Sequence, residues 1–205
     1  MSVVVLVGNP REGSRTLTVA AEAARAVKQR LDAPGPGVAG GGVAGGAGIS
    51  AGIKAAGNGS VGLGEAVPFE VVDLSALGPH LLSPGSSPGV EVALELVAEA
   101  SVLVVASPTY KGTYTGLLKS FLDRLPSQAL AGKAALPLLV MGDARHALAV
   151  EVHLRPLLVE LGATVPTPGL AVLESELPRL AEVLAAWADR VAPQAASVIE
   201  DRARR

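Results

Sequence analysis

The stretch GNPREGSRT, residues 8–16, places small, hydroxyl and arginine residues immediately before a helical pattern. Backbone amides left unpaired at a helix start, together with the positive end of the helix dipole, suit a phosphate. Ser14 and Thr16 can donate hydroxyl hydrogen bonds, while Arg11 and Arg15 can supply bidentate, charge-assisted ones. The spacing is not GxxxxGK[ST], so it suggests a monoester pocket rather than a nucleoside-triphosphate cradle. The alternative is that Ser14 caps the helix and the arginines are solvated.

A second stretch, SPTYKGTYTGLLKSFLDRLP from Ser107, opens on a turn. Pro108 and Gly112 bracket a backbone that can approach a flat ligand closely, and Tyr110 offers an aromatic edge or face. Here the alternative is that Tyr110 packs on its own loop and Lys111 points into water. A third stretch, GDARH over residues 142–146, puts Asp143 where it can cap a helix, with His146 close behind. Histidine in a helix's first turn is more often structural or exposed than functional. His80, His146 and His153 are not accompanied by an HExxH pattern or a ligand cluster, so no metal is expected.

These loops need a frame. Residues 3–7 form a continuous aliphatic run ending in Gly8, as expected of a strand buried on both faces of a parallel sheet. Leu17, Ala20, Ala24, Val27 and Leu31 then recur at helical spacing. The alternation repeats through PFEVVDL and a helix over 90–100, then through SVLVVAS and a helix beginning near Tyr114. The apolar spacing of Tyr114, Leu117, Leu118, Phe121, Leu122 and Leu125 makes that helix mostly core. AALPLLVMG predicts a fourth strand, residues 147–161 a helix kinked or restarted at Pro156, and residues 163–173 an irregular fifth strand. Residues 177–191 close the pattern as a helix with Leu180, Leu184 and Trp187 on one face. Five strands with intervening helices imply an α/β parallel sheet covered on both faces, with ligand at the carboxyl ends of the strands. The three loops follow strands one, three and four, so they converge there and offer a phosphate end and a flat-ring end, as flavin mononucleotide requires.

Composition narrows the function classes. A length of 205 residues fits one domain and leaves no room for a second full nucleotide-binding domain. Charged residues make up 18% and the net charge is -2, so no strong field draws nucleic acid or an anionic membrane. Cysteine is absent, which removes disulfides, thiolate metal sites and thiol catalysis. Aromatics are only 2%, against base-stacking platforms. MSVVVLVGNP lacks a basic region ahead of a longer apolar run, and no run reaches about 18 apolar residues, so a cytoplasmic protein without a signal or span is expected. Residues 34–64 hold more than half of the 24 glycines and read as a flexible insertion. GGGVAG from Gly40 and GNGSVG from Gly57 match GxGxxG there, but neither follows a strand or opens a helix.

VVVLVGNPREGSRT, ASPTYKGTYTGLLKSFLDRLP and ALAGKAALPLLVMGDARHALAVEVHLRPLLVELGA together resemble the NADPH-dependent FMN reductase family, especially members serving sulfonate-utilising monooxygenases. The resemblance spans residues 1–31 and 68–173, and implies a flavodoxin-like three-layer sandwich with strand order 2-1-3-4-5. It implies FMN with NADPH, or NADH, as hydride donor, and a monooxygenase as consumer of reduced flavin. Arg11, Ser14, Arg15 and Thr16 would bind the FMN phosphate. Pro108, Thr109, Tyr110, Lys111, Gly112 and Thr113 would line the isoalloxazine ring, and Gly142 and Asp143 would border its outer edge. A tyrosine at the position of Tyr114 widens one helical turn in some relatives, and the family forms dimers or tetramers, so a homodimer or homotetramer is implied. No side chain is assigned as acid, base or nucleophile, since the cofactor carries the chemistry. Alternatives are a flavin-retaining quinone, azo or metal-ion reductase, a flavodoxin-type carrier, and a non-catalytic FMN-binding module. Residues 34–64 depart from the family, whose members have a short connection there.

Overall fold

Strand β1, Val3–Val7, is buried along its whole length, and its side chains alternate between two cores. Val3, Val5 and Val7 face one layer of helices and Val4 and Leu6 the other, which is why the run shows no polar alternation. The computed structural model of the chain describes residues 1–33, 69–85 and 87–204. The glycine-rich stretch expected as an insertion, residues 34–64, lies outside them.

Helix α1, Arg15–Asp32, follows β1 and buries Leu17, Ala20, Ala24 and Val27 as their spacing predicts. The chain continues through β2, Glu70–Asp73, a one-turn α2, Gly78–Leu81, α3, Pro88–Glu99, and β3, Val102–Pro108. After α4, Gly116–Leu122, and β4, Ala134–Met141, come a 3-10 turn, Ala144–His146, and a π-helical turn, Val150–Leu154. Helix α5, Arg155–Glu160, β5, Leu170–Leu173, a 3-10 segment, Glu174–Arg179, and α6, Leu180–Ala203, complete the order. All sheet pairings are parallel and the order is β2-β1-β3-β4-β5, the flavodoxin-like doubly wound arrangement. Helices α1 and α6 cover one face, and α3, α4 and α5 the other.

Three local departures from the sequence expectations, and the irregularity expected of strand five, have physical causes. Helix α4 begins at Gly116 because Thr115 caps it, its hydroxyl accepting from Leu118 N at 3.1 Å. Tyr114 therefore precedes the helix, and no widened turn occurs there. The widened turn lies over 150–154 instead, where Arg155 N reaches Val150 O. Pro156 follows directly, and with no N–H to offer Val152 it cannot continue the α-helical ladder, so the helix restarts around it.

Strand five is broken between a bridge at Thr164 and the pairing that starts at Leu170. Ala135 N donates to Thr164 O, so in a parallel ladder Pro137 faces the same side, and its missing N–H falls where β5 is interrupted. The last helix starts later than expected and runs past Pro193 to Ala203, since Ala195, Val198 and Ile199 still pack against the core. That burial outweighs the one hydrogen bond Pro193 removes.

Gly8 sits where the first loop meets the end of the second, at the start of α4. A Cβ built there would lie 2.5 Å from Leu118 Cβ and 3.2 Å from Leu118 Cα, inside α4. Gly8→Ala is expected to lower unfolding free energy by about 1–3 kcal/mol through overpacking, read from urea denaturation. A midpoint matching the wild type would contradict this close approach.

Candidate functional site

The loop after β1 is organised from within. Asn9 is buried, its Oδ1 accepts from Arg11 N at 2.9 Å, and its Nδ2 donates to Thr16 Oγ1 at 3.0 Å. This Asx turn folds the loop back over the start of α1. Gly13 has a φ of 60°, left-handed backbone that glycine tolerates, and it delivers the chain to Ser14. Ser14 Oγ accepts from Leu17 N at 3.2 Å, so the hydroxyl caps the helix while its own hydrogen stays available to donate. Among the described residues, the backbone N–H groups of Glu12, Gly13, Ser14, Arg15 and Thr16 find no acceptor. The first turn of α1 carries no acid to neutralise them.

The sequence-predicted residues of this loop separate on folding. Arg11 is exposed and makes no ion pair among the described residues. Arg15 is exposed too, but its Nη2 lies 3.0 Å from Glu174 Oε1 at the end of β5. Thr16 is turned inward with its hydroxyl oxygen bonded to Asn9. At the neighbouring strand end, burial pushes the Asp73 carboxyl above its usual range, and the negative charge of Glu12 acts in the same direction.

The loop after β3 is a tight turn. Tyr110 N donates to Thr113 O at 2.9 Å and Thr113 N to Tyr110 O at 3.4 Å, with Lys111 at φ 54° and Gly112 at φ 86°. Two consecutive left-handed residues give a two-residue hairpin turn of the primed type. It projects Tyr110, 43% exposed, and exposed Lys111 from the sheet edge. Pro108 ends β3 and is buried. Thr109 N donates to Val140 O at 2.8 Å, but Thr109 Oγ1 is buried without a partner among the described residues. A buried hydroxyl left unpaired is costly and calls for a polar atom from outside the described residues, as a bound ligand would offer.

The loop after β4 lies against this turn. His146 Cδ2 is 3.9 Å from where a Cβ of Gly112 would stand. Gly142 is exposed and Asp143 half-buried. Asp143 Oδ1 accepts from Arg145 N at 2.9 Å and Oδ2 from Arg145 Nε at 2.8 Å, the cap its sequence position suggested.

Two residues outside the predicted set lock the loops together. Thr115 Oγ1 donates to Gly8 O at 2.5 Å, and Thr115 N donates to Ser107 Oγ at 3.0 Å. Ser107 Oγ in turn donates to Pro108 O at 2.8 Å. Thr115 was visible as a capping residue before an apolar run. Asn9 carried an Asx signal after a strand, whereas Ser107 and Glu174 carried none. The edge thus presents unpaired amides and a hydroxyl donor at one end, and a rigid turn with an aromatic side chain and an orphaned hydroxyl at the other. These residues fit a phosphate monoester joined to a flat ring with polar edges.

A family model described as NADPH-dependent FMN reductase matches residues 1–177. An FMN reductase (NADPH) of Pseudomonas putida is 39% identical over 55% of this chain, a stretch that spans 57% of that relative, little more than half its length. An NADH-dependent FMN reductase of Pseudomonas putida, SfnE, is 30% identical over 64% of this chain and 78% of its own. A solved NADH:FMN oxidoreductase in its apo form is 30% identical with a TM-score of 0.65, covering 98% of this chain and 87% of that one. The chain belongs to the NADPH-dependent FMN reductase family.

Hydrogen bonds from Arg145 hold the Asp143 carboxyl down to about 2. A carboxylate depressed in this way contributes its stabilisation above the ordinary 3.8 and loses it as pH falls through about 2. The side-chain carbonyl resonance of Asp143 should titrate near 2, and Arg145→Ala should move the midpoint up toward 3.8. A wild-type midpoint at 3.8 would contradict the pairing.

Proposed function

We propose that this member of the NADPH-dependent FMN reductase family is an NAD(P)H-dependent FMN reductase. The observation that carries the reading is the junction of the unpaired α1 amides with the Tyr110 to Thr113 turn, held by the Thr115 bond to Gly8. In this reading the amides of residues 12–16, the Ser14 hydroxyl and the Arg11 guanidinium take the FMN phosphate, with Arg15 within reach and Thr16 supporting through Asn9. Pro108, Thr109, Tyr110, Lys111, Gly112 and Thr113 form one wall for the ring, and Gly142 and Asp143 border its outer edge. Bound FMN supplies the hydride-accepting ring. The chain's own residues fix that ring at the strand ends and leave its exposed side open to a nicotinamide, so rate comes from proximity and orientation and no side chain is needed as acid or base. Relatives are named for both coenzymes, which supports writing the donor as NAD(P)H.

The reading extends to the setting. Residues 1–205 act as one FMN-binding domain, and a reduced-flavin-dependent monooxygenase consumes the product. Leu148, just ahead of the π turn, Val152 within it and Val159 in α5 are each more than half exposed and offer apolar surface suited to a second copy in a homodimer or homotetramer. No described helix is long and apolar enough to cross a membrane. A cytoplasmic location, where nicotinamide nucleotides are available, fits this role.

The purified chain should oxidise NADPH, with NADH measured in parallel, at a rate that saturates with added FMN. Arg11→Ala should raise the KM for FMN roughly tenfold, as loss of one charge-assisted phosphate contact implies, with little change for riboflavin. Turnover that ignores free FMN and requires an added quinone or azo acceptor would overturn the FMN-delivering reading.

A further inference from the structure

Arg15 and Arg11 flank the same amide cradle, yet among the described residues only Arg15 has an anionic partner. It is the first residue of α1, and its Nη2 rests 3.0 Å from Oε1 of Glu174, the residue that follows β5. The pair joins two loops that the sheet separates by two strands, β3 and β4. Both side chains are substantially solvated, 63% for Arg15 and 41% for Glu174, so the attraction is screened and the contact is weak. Glu174 has no other polar partner among the described residues, because the neighbouring Glu176 accepts the Leu173 N–H at 2.9 Å. Glu174 shares the first turn of the 3-10 segment with Glu176, which alone makes the hydrogen bond there, so no bond within that turn requires a carboxylate at position 174. Its one described side-chain partner is the Arg15 guanidinium.

We propose that Glu174 is a positioning residue that competes with the flavin phosphate for Arg15, and so sets how strongly the protein prefers FMN to riboflavin. The proposal rests on the phosphate assignment above. A guanidinium meets a phosphate through a bidentate, charge-assisted fork, and the α1 amides add further donors to that anion, so an arriving phosphate monoester can take Arg15 from an exposed carboxylate. Displacing Glu174 subtracts from the binding energy each time FMN enters. When FMN leaves, Glu174 takes the guanidinium back. The pair thus lowers affinity for the phosphate end without touching the ring, as suits a protein that exchanges its flavin.

The test measures dissociation constants for FMN and riboflavin by flavin fluorescence, in the wild type, Glu174→Gln, Arg15→Ala and the double variant, with thermal melting as a check on folding. Glu174→Gln should tighten FMN roughly two- to fivefold, the size expected for freeing one exposed ion pair, and leave riboflavin unchanged. In the Arg15→Ala background the same substitution should have no effect on FMN. Unchanged or weaker FMN binding in Glu174→Gln, or equal tightening of riboflavin, would overturn the competition. Should Glu174→Gln not fold, Arg15→Ala alone decides, because competition predicts a loss of FMN affinity of roughly two- to tenfold, and either no loss or a larger one contradicts it. A wild type that binds FMN no better than riboflavin would instead remove the phosphate assignment itself.

Discussion

The site depends on one close approach, that of Gly8 to the start of α4. With no side chain at position 8, the end of β1 can rest on Leu118, and the Gly8 carbonyl meets the Thr115 hydroxyl. The same Thr115 caps α4 and receives, through its N–H, the support of Ser107. One residue therefore fixes the first loop, the start of a helix and the end of β3 relative to each other. A ligand that spans a phosphate and a ring needs its two half-sites at a constant distance, and this junction provides it.

The two ends of the edge are built on different physics. At α1 the chain offers amides, a capping hydroxyl and a positive dipole end with no acid in the first turn, all of which favour an anion. At the 110–113 turn the chain offers shape, because two left-handed residues hold the backbone rigid and leave Tyr110 half exposed. Asp143, held ionised by Arg145, keeps a fixed negative charge at the far border. In the proposed FMN reductase this division lets the protein bind by its phosphate end and present the ring by its other end, leaving the chemistry to the cofactor.

Much of the frame was legible in the residues. β1, α1, β3 and β4 follow directly from aliphatic runs and helical spacing, since local periodicity and burial agree there. Pro156 restarts its helix as expected, by way of a π turn at 150–154, whereas the last helix runs beyond residue 191 and past Pro193, because packing outweighs one hydrogen bond. The three loops were placed on one edge by topology alone, whereas their internal wiring was not. That Thr16 would turn to Asn9, and Arg15 to Glu174, depends on side chains meeting across folded elements. Such tertiary pairings leave no periodic trace. Tyr114 packs against the core as its apolar spacing suggests, but from a position ahead of α4, because the cap at Thr115 starts the helix after it.

The most direct measurement is an amide nuclear magnetic resonance titration of the folded chain with FMN and, separately, with inorganic phosphate. FMN should shift the amides of residues 12–16 and of 109–113 together, while phosphate alone should shift only the first group. Shifts confined to other surfaces, or phosphate-end amides that do not respond to either ligand, would contradict the placement of the flavin across these loops.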